Sequence, residues 1–192
     1  MATAVLASSC GVPIDTAPTA IPQSQVPAAL SVAPATLPSP NPHSQRYVNV
    51  TVFLVNGLQE LVPVTVSIGR PAGFQAILTS LADGPDARAT SLGYGTDLPT
   101  GVGLTALRAS PSGVVVVQVS ADFLAQGGQT AIGEYAQVVW TLFTSLPTVG
   151  IRMRAVQFYA NGAPTGALLA DGQLVTRPVT ATDYKSLLAP TP

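Results

Sequence analysis

The sequence predicts an α+β fold in which two helices pack on a mostly antiparallel sheet. Segments rich in β-branched residues come in pairs joined by turn residues, which indicates hairpins. Two segments with the helical spacing of apolar residues interrupt these pairs. The expected order of elements is β-β-α-β-β-α-β. The 192 residues suffice for a single domain of this kind with a tail.

The first predicted strand is Tyr47–Val55, which is dense in valine and aromatic residues. Asn56-Gly57 follows and favours a two-residue hairpin turn, because both residues tolerate positive φ. The partner strand is expected over residues 61–68. Pro63 cannot donate a ladder hydrogen bond, so this strand should lie at a sheet edge or begin after the proline.

The first predicted helix follows Pro71, a residue that suits the first turn of a helix. Four apolar residues then recur with the spacing of one helical face. They are Phe74, Ile77, Leu78 and Leu81. Gly84-Pro85 should end the helix. A polar, glycine-containing loop is expected from there to about Thr100.

The second predicted hairpin joins Leu104–Ala109 to Val114–Val119 around a turn at residues 110–113. Residues 114–117 are all valine and do not alternate with polar residues. The second strand of this hairpin should therefore be central and covered on both faces. Residues 120–123 are expected to form a capped turn that leaves the strand.

The longest predicted helix follows Gly127-Gly128, where apolar residues form a continuous stripe at helical spacing. The stripe consists of Ile132, Tyr135, Ala136, Val139, Leu142, Phe143 and Leu146. Glu134 is expected in the first turn, where the helix dipole favours a negative charge. Pro147 and Gly150 should end the helix.

A further strand is predicted over residues 151–159, and Asn161-Gly162 indicates another turn. The domain is expected to span residues 46–165. Residues 166–192 then form a looser C-terminal extension with a short helix near residues 182–188.

Residues 11–45 contain repeated prolines, much alanine and serine, and almost no charge. Proline removes a backbone donor and restricts the preceding residue, so neither helix nor sheet should propagate. The segment also has few large apolar groups to offset the entropy of ordering. We therefore expect a disordered linker.

Cys10 is the only cysteine, and small residues precede it. Small residues before a cysteine and a tether after it are the pattern of a bacterial lipoprotein attachment site. Residues 1–10 match this signal in part, because a basic start is missing and the apolar stretch is short. Either the true start lies upstream, or Cys10 is an incidental thiol. The first reading anchors the protein by a lipid to the extracytoplasmic face of the cell membrane.

Composition narrows the classes of partner. A net charge of -1 with 8 lysines and arginines provides no cluster of cations for nucleic acid. No run reaches the ~20 apolar residues that a membrane-spanning helix needs. A single cysteine also excludes an internal disulfide. We expect no nucleic-acid partner, and a membrane contact through the lipid alone.

No catalytic constellation is apparent, and an enzyme is not expected. His43 is the only histidine and lies in the linker, where nothing holds it beside a nucleophile. One cysteine and one histidine cannot supply the ~4 ligands of a structural zinc site, so we expect no metal or cofactor. Paired carboxylates could still hydrolyse glycosides. The folded candidates are Glu60, Asp83, Asp86, Asp97, Asp122, Glu134 and Asp171.

Three residues are candidates for an interface. Arg152 and Arg154 should share one face of a strand, because strand side chains alternate. They could contact an acidic partner or an anionic wall polymer, but a solvated strand face is the favoured explanation. Trp140 lies off the centre of the helix stripe. It belongs to the peripheral core, or anchors a partner if it is exposed.

Six blocks of the sequence resemble, in the same order, the GerMN domain family, which takes its name from a spore-germination lipoprotein. The blocks are VFLVNG with LVPV (52–57, 61–64), LTSLADGP (78–85), LPTG (98–101), VSADF (119–123), AQVVWTL (136–142), and LPTVG with VQF (146–150, 156–158). Together they cover residues 46 to 165. Each block is short, and their collinearity carries the resemblance.

The resemblance implies a small α+β module found on actinobacterial lipoproteins, and distantly the N-terminal part of LpqB-type lipoproteins. No catalytic residues accompany the family. It implies a non-enzymatic module for protein–protein interaction or assembly in the cell envelope. The partner would be an envelope protein such as a membrane sensor or an assembly complex. The alternative is a cell-wall polymer binding protein or hydrolase that uses the loop at residues 84–103.

Overall fold

The computed structural model describes residues 46–190, so the predicted signal at 1–10 and linker at 11–45 lie outside the described residues. The fold is α+β, as predicted. The strands are β1 (Tyr47–Val55), β2 (Leu61–Gly69), β3 (Leu104–Ala109), β4 (Val114–Val119), β5 (Ala155–Ala160), β6 (Ala163–Pro164), β7 (Ala167–Leu168) and β8 (Leu174–Val175). The α-helices are α1 (Phe74–Ala82), α2 (Ala87–Ser91), α3 (Ala121–Leu124) and α4 (Gly128–Ser145).

Strands β1 and β2 form an antiparallel hairpin that is joined by a longer turn than predicted. The N–H of Asn56 donates to the carbonyl of Glu60 at 3.0 Å, and Gln59 between them has a φ of 62°. Asn56 Oδ1 accepts from the N–H groups of Leu58 and Glu60. The two-residue turn was therefore a wrong prediction, because the Asn56 side chain closes a wider loop. Pro63 lies on β2, which pairs with β1 alone within this sheet, so the edge prediction is confirmed.

The edge of β1 that faces away from β2 is covered by polar side chains of α4. Ser145 Oγ accepts from the N–H of Thr51 at 2.9 Å and donates to its carbonyl at 2.6 Å. Thr141 Oγ1 accepts from the N–H of Phe53 at 2.9 Å. Gln137 Nε2 donates to the carbonyl of Phe53 at 2.8 Å. The helix thus satisfies backbone groups that another strand would otherwise pair with.

A second sheet has the order β3-β4-β5-β6. Strand β4 is antiparallel to β3 and parallel to β5, so helices α3 and α4 form the crossover that a parallel pair requires. The central position predicted for β4 is confirmed, and Val115, Val116 and Val117 are all buried. These helices and strands share one apolar core with β1 and α1.

Strand β5 begins later than predicted, at Ala155 instead of residue 151. After α4 the chain continues as a 3₁₀-helix, Leu146–Val149, and Gly150 follows with a φ of 81°. The chain turns at this left-handed glycine. Its first backbone hydrogen bond toward the sheet is the one from the N–H of Arg154 to the carbonyl of Gly113, at 2.8 Å, directly before β5.

Helix α1 confirms the predicted apolar face, because Ile77, Leu78 and Leu81 are buried. It begins at Phe74 with Gly73 as its N-cap, so Pro71 precedes the helix and does not lie in its first turn as predicted. The predicted loop after it contains the short helix α2. Asp86 caps this helix, and its Oδ1 accepts from the N–H of Ala89 at 2.7 Å. A helix of five residues is too short to show an apolar period, which is why the sequence pattern missed it.

Helix α4 confirms the longest predicted helix but corrects two of its residues. Phe143, expected in the apolar stripe, is 42% exposed. Glu134, expected in the first turn, lies beyond it because the helix begins at Gly128, and it is completely buried.

The C-terminal extension packs into the core instead of forming a looser tail. Tyr184 is fully buried within a second 3₁₀-helix, Ala181–Leu187, and its hydroxyl donates to the carbonyl of Leu168 at 2.9 Å. Val179 and Val156 exchange two backbone hydrogen bonds of 2.8 Å. The predicted short helix near residues 182–188 is present as this 3₁₀-helix, whereas the packing of the extension was missed because its strands are two residues long.

Candidate functional site

Arg152 and Arg154 line one cavity together with the turn between β3 and β4. The cavity measures about 220 Å³. Its lining residues are Ser110, Pro111, Ser112, Gly113, Arg152 and Arg154. The structure therefore brings the two predicted arginines together, although they precede β5 instead of lying on it.

Local packing fixes both arginines on the same side of the chain. Met153 between them is buried, so the neighbouring side chains of Arg152 and Arg154 both point away from the core. Gly113 has a φ of 82°, and a Cβ atom there would lie 3.1 Å from Arg154 Cγ. A glycine at this position lets the Arg154 side chain cross the turn.

The cavity concentrates hydrogen-bond donors and contains no carboxylate. Within residues 46–190 the single ion pair joins Arg177 and Asp183 at 2.7 Å, so Arg152 and Arg154 have no acidic partner there. The hydroxyl oxygens of Ser110 and Ser112 lie 2.7 Å apart at the same cavity. Two guanidinium groups and two hydroxyls therefore line a site suited to an anion.

Trp140 is half-buried at the end of the core near the C-terminal segment. Its ring centroid lies 5.6 Å from that of Phe53 and 5.8 Å from that of Phe143. Its Nε1 donates to the carbonyl of Tyr184 at 3.4 Å. Trp140 thus belongs to the peripheral core and supports Phe143, which carries the exposed aromatic surface. We call these two residues the α4 aromatic edge.

Asp97 and Glu134 form a buried pair of carboxyl groups. Asp97 Oδ2 and both Glu134 carboxyl oxygens are buried without any hydrogen-bond partner. A Cβ atom on Gly133 would overlap Asp97 Oδ2, which places this carboxyl group against the backbone of α4. Gln137 Oε1 also accepts from the N–H of Asp97 at 2.9 Å. Two of the carboxylates considered for glycoside hydrolysis therefore meet in the structure.

Burial controls the ionisation of this pair. Burial, and then the charge of Asp97, raises the pKa of Glu134 to about 8. Burial also raises the pKa of Asp97. Burial, and then the charge of Glu134, raises the pKa of the adjacent Tyr135 to about 12. Glu134 is therefore protonated at neutral pH.

A signal for this burial exists in the sequence. Polar residues of α4 recur with a helical period of their own, and each of them is fully buried. They are Glu134, Gln137, Thr141 and Ser145. The prediction of α4 rested on its apolar stripe alone and therefore missed this polar stripe.

Cys10 and His43 lie outside the described residues. Across residues 46–190 no group of three or more His, Cys, Asp and Glu side chains is placed to hold a metal ion. No helix in that range has both the length and the apolar character to cross a membrane.

Comparison with known proteins identifies related domains. The family model Germane, described as sporulation and spore germination, matches residues 45–166. The tandem GerMN domains of the sporulation protein GerM from Bacillus subtilis align at 16% identity and a TM-score of 0.55, over 71% of this chain. This chain spans 47% of that tandem structure, about half its length.

The first GerMN domain of the same protein aligns at 15% identity and a TM-score of 0.53. That alignment covers 70% of this chain and 98% of the single domain. No curated protein matches the sequence. At these identities the likeness to the solved structures establishes the fold, and the predicted GerMN-like fold is confirmed.

Proposed function

This chain belongs to the Germane family of sporulation and spore germination, and we propose that it is a non-enzymatic, membrane-tethered interaction module of the cell envelope. The observation that carries the proposal is the family match over residues 45–166, on a domain in which the Glu134 side chain is completely buried. The related solved domains belong to a sporulation protein from Bacillus subtilis.

The tether of the proposal rests on Cys10 and the proline-rich segment after it. An acylated cysteine would hold the domain at the membrane, and the linker would let it move above the surface. One acyl chain gives only reversible binding, so stable anchoring requires a second lipid chain or another membrane contact.

The α4 aromatic edge is the surface that we assign to a protein partner. Phe143 is 42% exposed, and Trp140 packs against it from below. Aromatic residues provide large contact area at low entropic cost and are enriched in binding hot spots. The partner is an envelope protein, either a membrane sensor or an assembly complex.

The alternative function is binding or hydrolysis of a cell-wall polymer. Hydrolysis would require an acid and a base that reach the glycosidic bond. Glu134 has the raised pKa of a general acid, but its side chain is completely buried, so a glycan cannot contact it. The geometry therefore favours an interaction module over a hydrolase.

Metabolic acyl labelling with membrane fractionation tests the tether. We expect label in the wild-type protein and loss of label, with release from the membrane, in Cys10→Ser. A Ser9→Ala variant is the matched control, because it changes the neighbouring residue and keeps the thiol. Unlabelled wild-type protein in the soluble fraction would contradict the tether.

Incubation with purified cell-wall fragments tests the absence of catalysis. We expect no released sugar above the blank at any pH from 5 to 9. Release of soluble fragments by the wild type, abolished in Glu134→Gln, would instead establish the hydrolase.

A further inference from the structure

The cavity at Arg152 and Arg154 is a built feature that the proposed interaction function leaves unused. Two parts of the chain line it. One is the β3–β4 turn, which contains the left-handed Gly113, and the other is the segment in which the buried Met153 separates the two arginines. Two hydrogen bonds hold the backbone there. Ser110 Oγ accepts from the N–H of Val114 at 3.1 Å, and the carbonyl of Gly113 accepts from the N–H of Arg154 at 2.8 Å.

We propose that this cavity binds the phosphate group of a phosphodiester-containing polyanion. Two exposed guanidinium groups and one serine hydroxyl can donate to one ligand, because of the hydrogen-bonded Ser110 and Ser112 hydroxyls one donates to the other. A phosphodiester has two non-bridging oxygens that share one negative charge and two bridging oxygens, whereas a carboxylate presents only two oxygens in one plane. A ligand with more acceptors, tetrahedrally arranged, matches this larger set of donors.

The electrostatic attraction of a polyanion is confined to the two arginines of the cavity. The whole chain has a net charge of -1, so the protein as a body does not attract polyanions. The two arginines stand two residues apart, and no carboxylate within residues 46–190 pairs with them. Binding would therefore depend on these two side chains and not on overall charge.

A double substitution with a matched control tests the site. The variant Arg152→Gln/Arg154→Gln removes the two positive charges at the cavity. Arg46→Gln/Arg88→Gln removes the same charge from two exposed arginines elsewhere on the domain. Both pairs of residues are exposed, so we expect the melting temperature of each variant to equal that of the wild type.

Binding of the full chain is measured by calorimetry at about physiological salt, with four probes: inorganic phosphate, poly(glycerol phosphate), vesicles with phosphatidylglycerol, and poly-glutamate. We expect poly(glycerol phosphate) or the vesicles to bind, and the cavity variant to bind at least tenfold more weakly. The control variant should bind within twofold of the wild type. The stronger of the two phosphate probes identifies a polymer or a lipid headgroup as the source.

Several outcomes would overturn the proposal. Equal loss in the two variants would mean non-specific attraction. Poly-glutamate that binds as tightly as poly(glycerol phosphate) would assign the cavity to an acidic peptide. If neither phosphodiester probe binds, or if only inorganic phosphate binds, the cavity is not a polyanion site. These results do not depend on the lipid anchor or on the α4 aromatic edge, so either proposal can fail alone.

Discussion

Glu134 lies in the middle of the longest helix, fully buried, with the carboxyl group of Asp97 as its charged neighbour. A buried carboxyl group without a compensating cation remains protonated, because the ionised form loses its hydration. Both Glu134 carboxyl oxygens and Asp97 Oδ2 are buried without a hydrogen-bond partner. At the residue scale, burial therefore controls the ionisation of the Glu134 side chain beside Asp97.

The raised pKa of Glu134 makes the stability of the domain depend on pH. The folded form holds its proton to about pH 8, whereas the unfolded chain releases it near 4.5. Stability should therefore fall as pH rises between these values, by about 1.4 kcal/mol per pH unit at most. In Glu134→Gln this slope should shrink to the part that the raised pKa of Asp97 contributes, and the variant should be more stable than the wild type above pH 8.

Urea unfolding at pH 5, 7 and 9 measures this effect. Asp83→Asn, which changes an exposed carboxylate at the C-terminal end of α1, is the control and should keep the wild-type slope. A slope of the same size in Glu134→Gln would contradict the assignment.

Gly133 next to this pair is required by packing. Its replacement by alanine would normally stabilise a helix by up to ~1 kcal/mol. Here the new Cβ would overlap Asp97 Oδ2, so we expect Gly133→Ala to destabilise the domain by about 1–3 kcal/mol. Gly57→Ala, where nothing lies within 4 Å, serves as the control in the same unfolding assay. A stability of Gly133→Ala equal to or above the wild type would refute the close contact.

At the scale of elements, the arrangement of α4 across the edge of β1 distinguishes this domain from a simple helix-on-sheet layer. Strand β1 and helix α4 were predictable because long, strictly periodic segments carry their own signal. Their side-chain to backbone bonds were not, since they join residues such as Thr51 and Ser145 that are far apart in sequence. The turn at Asn56 was missed because it depends on two hydrogen bonds to one side chain, and helix α2 was missed because five residues are too few to show an apolar period.

Thr141→Val tests the covering of the β1 edge. Valine has nearly the shape of threonine but leaves the buried N–H of Phe53 without an acceptor, so we expect a loss of about 1–3 kcal/mol. Thr144→Val on the same helix is exposed and should change stability by less than about 0.5 kcal/mol. Urea unfolding measures both, and hydrogen exchange of the Phe53 amide should accelerate only in Thr141→Val. Equal stabilities of the two variants would argue against the bond.

At the scale of the whole molecule, the folded unit extends past the segment that the family model matches. Residues 45–166 carry the match, yet Ala167, Leu169, Val179, Ala181 and Tyr184 complete the same core. The sequence motifs indicated where the family resemblance ends, but not where the core ends. Core residues in strands of two residues form no periodic apolar pattern that the sequence could show. The candidate cavity was foreseen in its two arginines, while its serine turn became visible only once the fold placed it beside them.

Removal of the C-terminal segment tests this boundary. We expect a chain that ends at residue 166 to lose cooperative thermal unfolding, because Tyr184 and Val179 leave apolar cavities in the core. Tyr184→Phe keeps the ring and loses only the bond to Leu168, so it should unfold cooperatively with a loss of about 1 kcal/mol. Circular dichroism during heating measures both. A truncated chain with the wild-type transition would show that the segment is dispensable.

The central claim is that this Germane-family domain binds an envelope protein through the α4 aromatic edge. Photo-crosslinking in intact cells tests it most directly, with a photoreactive phenylalanine analogue at Phe143 and, as control, at Leu58, which is 79% exposed on the β1–β2 turn. We expect one discrete membrane-protein adduct from position 143 that is absent from position 58. No adduct from position 143, or the same adducts from both positions, would contradict the claim.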